Sequence, residues 1–223
     1  MQNGEFMSDK KRMLAAVICD DKYHPASVVK QGVEGLNAGN VDWEFVLDTS
    51  EWSPQLFERC DVIVLAKGNS RSVDDPRPWL SVEIQHGFAD FVARGRGLLV
   101  VHSGTVGYKD ESTFKSLVGG GFIHHPEQSE VTVDFTGQSE IPGMPSESFT
   151  VHDEHYLMEM YAADNNIFMT STSPHSTQPA GWTRRHGKGK VCVLTPGHNL
   201  EVWLHPQYQN TILNALNWCH GRN

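Results

Sequence analysis

GLLVVHSGTV, residues 97–106, is an apolar run that ends on His102 and passes into Ser103 and Gly104. Its apolar positions do not alternate with polar ones, which predicts a strand buried on both faces, as in a parallel sheet covered by helices. Working back from it, WLSVEIQHGFADFVARG (79–95) puts Leu80, Ile84, Phe88 and Phe91 or Val92 on one helical face, with Gly95 closing the helix. DVIVLA (61–66) is a second buried strand, and KGNSRSVDDPRP (67–78) is a long loop broken by Gly, Asn, Ser and two prolines. SPQLFERC (53–60) reads as a short helix with Ser53 as its cap and Pro54 at its first position. VDWEFVLD (41–48) and MLAAVIC (13–19) read as strands. Between these two, Val28, Val29, Val33 and Leu36 fall near helical spacing. The order β-α-β-α-β-α-β implies right-handed crossovers and an α/β fold, doubly wound in the flavodoxin manner, with a mainly parallel sheet in a three-layer sandwich.

From about residue 129 the pattern changes. SEVTVDF, ESFTVHDEHYLMEM and NIFMTST are strand-like pieces separated by Gly, Pro and Asn. GKGKVCVLTPGH (187–198) supplies a glycine-rich turn and a last strand, and PQYQNTILNALNWCHG is an amphipathic closing helix. GKGK lacks the phosphate-loop pattern and precedes a strand, so a tight turn is expected there. Gly119–Gly121 reads as a flexible connection, because no strand precedes it and no acidic partner follows at the dinucleotide spacing; no nucleotide cofactor is expected.

With 223 residues, 39% hydrophobic, the chain suits one domain with a sizeable core. We assign residues 13–223 to that domain. Residues 1–12 are read as tag-derived sequence before a native start at Met7, followed by a disordered N-terminus. A net charge of -9 without a basic run speaks against nucleic acid or an anionic membrane as partner. No apolar stretch is long enough to span a bilayer and no signal-peptide core is present, so a cytoplasmic location is expected. Cys19, Cys60, Cys192 and Cys219 lack metal or disulfide spacing and are expected to be buried, inert thiols. A homo-oligomer is compatible with this class of domain, and nothing in the sequence marks its interface.

In an open α/β sheet, ligands bind beyond the carboxyl ends of the strands. Asp20, Asp21 and His24 follow the first strand, Lys67 and Asn69 the third, His102 and Ser103 the fourth, and His198 the last. His124, His125, Asp153, Glu154 and His155 lie in the loops and strand ends between.

GRGLLVVHSGT, LVGGGFIHHP, HDEHYLMEM and GWTRRHGKGKVCVLTPGH succeed one another in the order found in ThuA-like proteins, and the chain resembles that trehalose-utilisation family over most of residues 13–220. The resemblance implies a fold of the class I glutamine amidotransferase kind, with His102, His125, Asp153, Glu154 and His198 as motif positions. In those amidotransferases a cysteine nucleophile sits on a strained strand-to-helix turn. The corresponding triplet here is His102-Ser103-Gly104, so imidazole takes the place of the thiol, and thioester chemistry is disfavoured. Ser103 as nucleophile would need an oriented histidine in reach, and its flanks do not match a serine-hydrolase elbow.

Imidazoles with a carboxylate form the usual ligand set of a zinc-like divalent metal with an open position. His102, His125 and His198 are the expected metal ligands; the carboxylate is Glu154 or Asp153, either of which could instead serve as a general base. A metal-free His/Glu acid–base pair remains the alternative. Glu154, His102 and Asp153 are the expected catalytic residues, and His24, Ser103, Trp182 and His198 the expected substrate contacts. Trp52, Trp79, Trp182 and Trp203 either stack on sugar faces or pack the rim. The resemblance implies a carbohydrate-catabolic enzyme acting on a small-molecule sugar substrate, a disaccharide or keto-sugar derivative, by a lyase, isomerase or hydrolase step. The rival is a non-catalytic sugar-binding or regulatory protein on a scaffold that has lost its nucleophile.

Overall fold

The structure is a computed structural model that describes residues 12–221. The assignment of residues 1–12 to a leader therefore falls outside the described residues, except at Arg12. Its guanidinium holds Asp42 at 2.7 Å and the carbonyls of Gly39 and Val41.

The first seven elements follow the predicted order: β1 (Met13–Cys19), α1 (Ala26–Glu34), β2 (Val41–Val46), α2 (Gln55–Arg59), β3 (Val62–Ala66), α3 (Val82–Ala93) and β4 (Gly97–Val101). Pro54 caps α2 rather than opening it, a displacement of one residue. The second half comprises α4 (Ser112–Val118), β5 (Gly120–His124), β6 (Ser129–Phe135), β7 (Phe149–Asp153), β8 (Leu157–Met160), β9 (Asn166–Ser173), β10 (Ser176–His186), β11 (Gly189–Leu194), α5 (Leu200–Leu204) and α6 (Pro206–His220).

Nine strands form one sheet in the order β2-β1-β3-β4-β11-β10-β9-β6-β7. From β2 to β11 neighbours run parallel; from β11 to β7 they run antiparallel. The expectation of a mainly parallel sheet is thus corrected: the fold is mixed α/β, with a large sheet that turns from parallel to antiparallel. The reason is connection length. β10 and β11 are joined through Gly187 and Lys188 alone, and β9 reaches β10 through Pro174 and His175, which is too short for a crossover and suits a hairpin.

Side chains of β1 alternate between two cores. Met13, Ala15, Val17 and Cys19 pack with Val29 and Val33 of α1 and with Ile212, Ala215 and Leu216 of α6. Ala16 and Ile18 face Leu56 and Phe57 of α2, Phe88 and Phe91 of α3, and Phe114 and Leu117 of α4. Helices thus cover both faces, which is why the parallel strands carry continuous apolar runs.

Two local expectations change. The run ESFTVHDEHYLMEM is not one strand: β7 belongs to the large sheet, while β8 pairs with β5 in a separate two-stranded sheet, leaving residues 154–156 between them. Gly119–Gly121 is not a flexible connection; Gly119 caps α4, and Gly120 and Gly121 are paired in β5 with Met160 and Glu159. The four Trp residues serve packing, with Trp79, Trp182 and Trp203 buried in the two cores and Trp52 half-buried beside Phe57 and Phe88. All four cysteines are free and buried, and burial pushes the thiols of Cys19 and Cys219 up to about 12 and that of Cys60 up to about 11.

Candidate functional site

β4 ends at Val101, and the chain turns at once into a short 3-10 segment, His102–Thr105. His102 has φ +45°, a left-handed conformation that costs a non-glycine residue about 1–2 kcal/mol. The turn is held by its surroundings. The His102 ring is buried and stacks on Tyr156 at 4.0 Å, Nδ1 lies 2.7 Å from the Thr195 carbonyl, and Thr105 Oγ1 donates to the His102 carbonyl. Gly104 allows the turn to sit down on β3, since a Cβ there would stand 2.2 Å from the Leu65 carbonyl oxygen.

The loop after β11 brings His198 to the same place. Gly197 has φ +138°, which favours glycine. Its carbonyl accepts from Trp203 Nε1 at 2.7 Å, and the amides of Gly197 and His198 donate to the two oxygens of Asp153 at 2.8 and 3.0 Å. Asp153 is thereby spent on holding the Gly-His step. Gly197→Ala is expected to destabilise the protein by about 1–3 kcal/mol through backbone strain, and calorimetry on the purified variant measures it.

Glu154 comes from the break between β7 and β8, and its carboxylate sits at the centre of the cluster. Oε2 is 3.1 Å from His198 Nδ1, 3.5 Å from His102 Nε2 and 4.0 Å from His24 Nε2; Oε1 is 3.4 Å from His125 Nε2. Four atoms, one each from His24, His102, Glu154 and His198, lie within 4.8 Å of one another.

The far nitrogens of three of these rings decide what the near ones can do. His24 Nδ1 is 2.8 Å from Asp21 Oδ1, His102 Nδ1 faces the Thr195 carbonyl, and His125 Nδ1 lies 2.8 Å from the Pro126 carbonyl. Each partner is an acceptor only, so each Nδ1 carries the proton and a neutral ring presents a bare Nε2 to Glu154. His102 Nε2 and His198 Nδ1 are buried and make no hydrogen bond. Nε2 of a neutral His102 therefore sets a lone pair against the Glu154 carboxylate at 3.5 Å, an arrangement that calls for a proton or a metal ion between them.

Charge on the groups follows this geometry. Burial alone would raise the Glu154 pKa, but the facing His102, His198 and His24 rings outweigh it and hold the carboxyl far below its ordinary value. Burial would lower His24, and the Asp21 and Glu154 carboxylates reverse this and push it up to about 9. Burial holds His102 below its ordinary value, so its ring favours the neutral form.

Of the expected site residues, the structure brings together His24, His102, Glu154 and His198, with His125 at the mouth as the most exposed of the five side chains. Two expected substrate contacts are placed elsewhere. Trp182 is wholly buried and donates Nε1–H to the Val118 carbonyl at 2.9 Å, so neither face is open to a sugar. Ser103 is buried, and among the described residues its hydroxyl makes no hydrogen bond to a histidine. Tyr156 escaped the sequence reading, and Asp21 was named there without a role. Tyr156 lies between the His102 and His125 rings with its hydroxyl 3.3 Å from His24 Nε2, and Asp21 holds His24 from behind. The Asp21-x-x-His24 spacing was the available signal for the second.

A family model described as ThuA, trehalose utilisation, matches residues 18–219. The chain belongs to the ThuA family. Among solved structures it is similar to a ThuA-like protein of Parabacteroides merdae, at 16% identity and a TM-score of 0.71, with 94% of this chain and 90% of that one covered. A cytoplasmic protein of Salmonella typhimurium aligns at 11% identity and a TM-score of 0.64, covering 93% of this chain and 98% of its own. A β-galactosidase of Bacillus circulans sp. alkalophilus aligns at 11% identity and a TM-score of 0.62 over 92% of this ThuA chain but only 30% of its own. At these identities the likeness is one of fold. No curated protein matches the sequence. Among the described residues of this ThuA protein, no helix is long and apolar enough to cross a membrane.

Proposed function

We propose that this ThuA-family protein is a sugar-modifying enzyme that acts on a disaccharide or keto-sugar derivative, with a zinc-like divalent ion held by His24, His102, His198 and Glu154. The observation that carries the reading is the convergence of two buried imidazole nitrogens, His102 Nε2 and His198 Nδ1, that make no hydrogen bond, on one carboxylate. Their spacing suits tetrahedral ligands, since bonds of about 2.1 Å give ligand–ligand edges of about 3.4 Å. His24 thus replaces His125 in the ligand set expected from sequence.

A divalent ion at such a site supplies Lewis acidity toward a substrate carbonyl or hydroxyl. The chain's own residues do the rest. Glu154 turns Oε1 outward to His125, so the His125 ring can take a proton from the carbon beside a keto group, with the Glu154 carboxylate steadying the imidazolium, and pass it to solvent. Asp153 keeps His198 in place through two backbone amides, and the half-exposed His125 ring stands at the mouth. The family name supports a carbohydrate substrate. The strand order β2-β1-β3-β4-β11 with helices on both faces supports a flavodoxin-like three-layer reading of the parallel half.

The test is turnover of keto-disaccharides by protein loaded with zinc, manganese or nickel, beside chelated protein and Glu154→Gln. Turnover that needs both the ion and Glu154 supports the proposal. Sugar binding with neither metal nor turnover contradicts it and favours a binding protein.

The pH dependence has a definite sign. In chelated protein the His24 pKa of about 9 against an ordinary 6.5 means that its charged form adds stability below pH 6.5, and that this is lost as pH rises through 9. A bound ion must displace that proton, so its affinity rises over the same interval. The Tm of chelated protein is therefore expected to fall from pH 6.5 to 9 and the zinc-induced rise in Tm to grow, as differential scanning fluorimetry would show.

A further inference from the structure

We infer that Asp21 is the positioning residue that presents His24 to the ion, an inference that rests on the metal reading above. A single buried carboxylate organises the whole segment. Its Oδ1 accepts from His24 Nδ1 at 2.8 Å and from the backbone amides of Tyr23 and His24 at 3.0 and 3.1 Å, and its Oδ2 accepts from the Gly68 amide at 2.8 Å. The amides of Asp21 and His24 also bond each other's carbonyls, so ring and backbone of His24 are fixed from one residue. The approach to it is unusual: Asp20 stands at φ +84°, the other non-glycine residue besides His102 in left-handed conformation among those described. That conformation sends the Asp20 side chain to the Ala26 amide at the start of α1, and the buried Lys67 ammonium holds the Asp20 carbonyl. Among the described non-glycine residues, backbone strain thus falls at Asp20 and His102, just after β1 and β4.

The chemistry requires an acceptor of this kind behind a ligating imidazole. A carboxylate on Nδ1–H fixes the tautomer, stops the ring from turning its other nitrogen inward and makes Nε2 a better donor to the ion. Asparagine cannot substitute. Both oxygens of Asp21 face N–H groups, so an amide of either orientation sets its own NH2 against a donor.

The experiment is zinc binding by competition with a chromophoric chelator, at fixed pH, on the wild-type protein, Asp21→Asn and Asp20→Ala, with Tm measured in parallel. We expect one zinc per wild-type chain, a 10–100-fold weaker affinity in Asp21→Asn with the stoichiometry retained at saturation, and an affinity within about threefold of wild type in Asp20→Ala despite its lower Tm. Unchanged affinity in Asp21→Asn overturns the inference while leaving the metal reading intact. An equal loss in Asp20→Ala overturns it too, because the effect would then be one of loop stability. No zinc on the wild type defeats the metal reading itself, which separates that failure from the other two.

Discussion

His102→Ala is expected to lower zinc affinity by more than about a hundredfold, beyond what the loss of a supporting partner costs, and to abolish ion-dependent sugar turnover. The ring is simultaneously a member of the cluster, the stacking partner of Tyr156 and the group tied to Thr195 across the β4–β11 pair. The backbone supplies a built-in control. At φ +45°, alanine keeps the strain and glycine relieves it, so His102→Gly is expected to be about 1 kcal/mol more stable than His102→Ala while equally unable to bind zinc. Paired denaturation and zinc titrations would check both halves. Near-normal zinc affinity in both variants would remove His102 from the ligand set.

Trp182→Ala is expected to cost about 3–5 kcal/mol of stability, as for other buried large-to-small changes, and to lower Tm by roughly 6–20 °C in a domain of this size. Its indole fills the core between β10 and α4, and Nε1–H satisfies the last carbonyl of that helix. The same substitution separates packing from sugar recognition. Under the packing account, zinc stoichiometry and the KM of any variant that folds stay near wild type. A rise in KM without loss of stability would restore a stacking role.

The parallel half of the fold was legible because it is covered on both faces, which writes itself as unbroken apolar runs at β1, β3 and β4, with amphipathic helices between them. The second half read as strands, but their pairing did not, because a strand's partners depend on contacts far along the chain; the 11-residue β10 in particular carries bulges and charged residues. Helices α4 and α5 were missed for want of length, with seven and five residues giving too few turns for a period to emerge.

At the site, strand ends pointed to His102 and His198, and the Asp-Glu step to Glu154. What could not be read was direction. Asp153 and Glu154 are adjacent, and alternation along an extended chain sends one inward to the backbone amides of Gly197 and His198 and the other into the cluster. His24 and His125 were likewise interchangeable in sequence. Their roles differ because Asp21 holds one ring in the buried cluster, while the other rests on the Pro126 carbonyl at the mouth.

The most direct measurement is a crystal structure of zinc-loaded protein with anomalous data collected at the zinc edge. The account predicts one strong peak bonded at about 2.0–2.2 Å to His24 Nε2, His102 Nε2, His198 Nδ1 and Glu154 Oε2. Zinc bound elsewhere, or no peak between these atoms with zinc in excess, would contradict it.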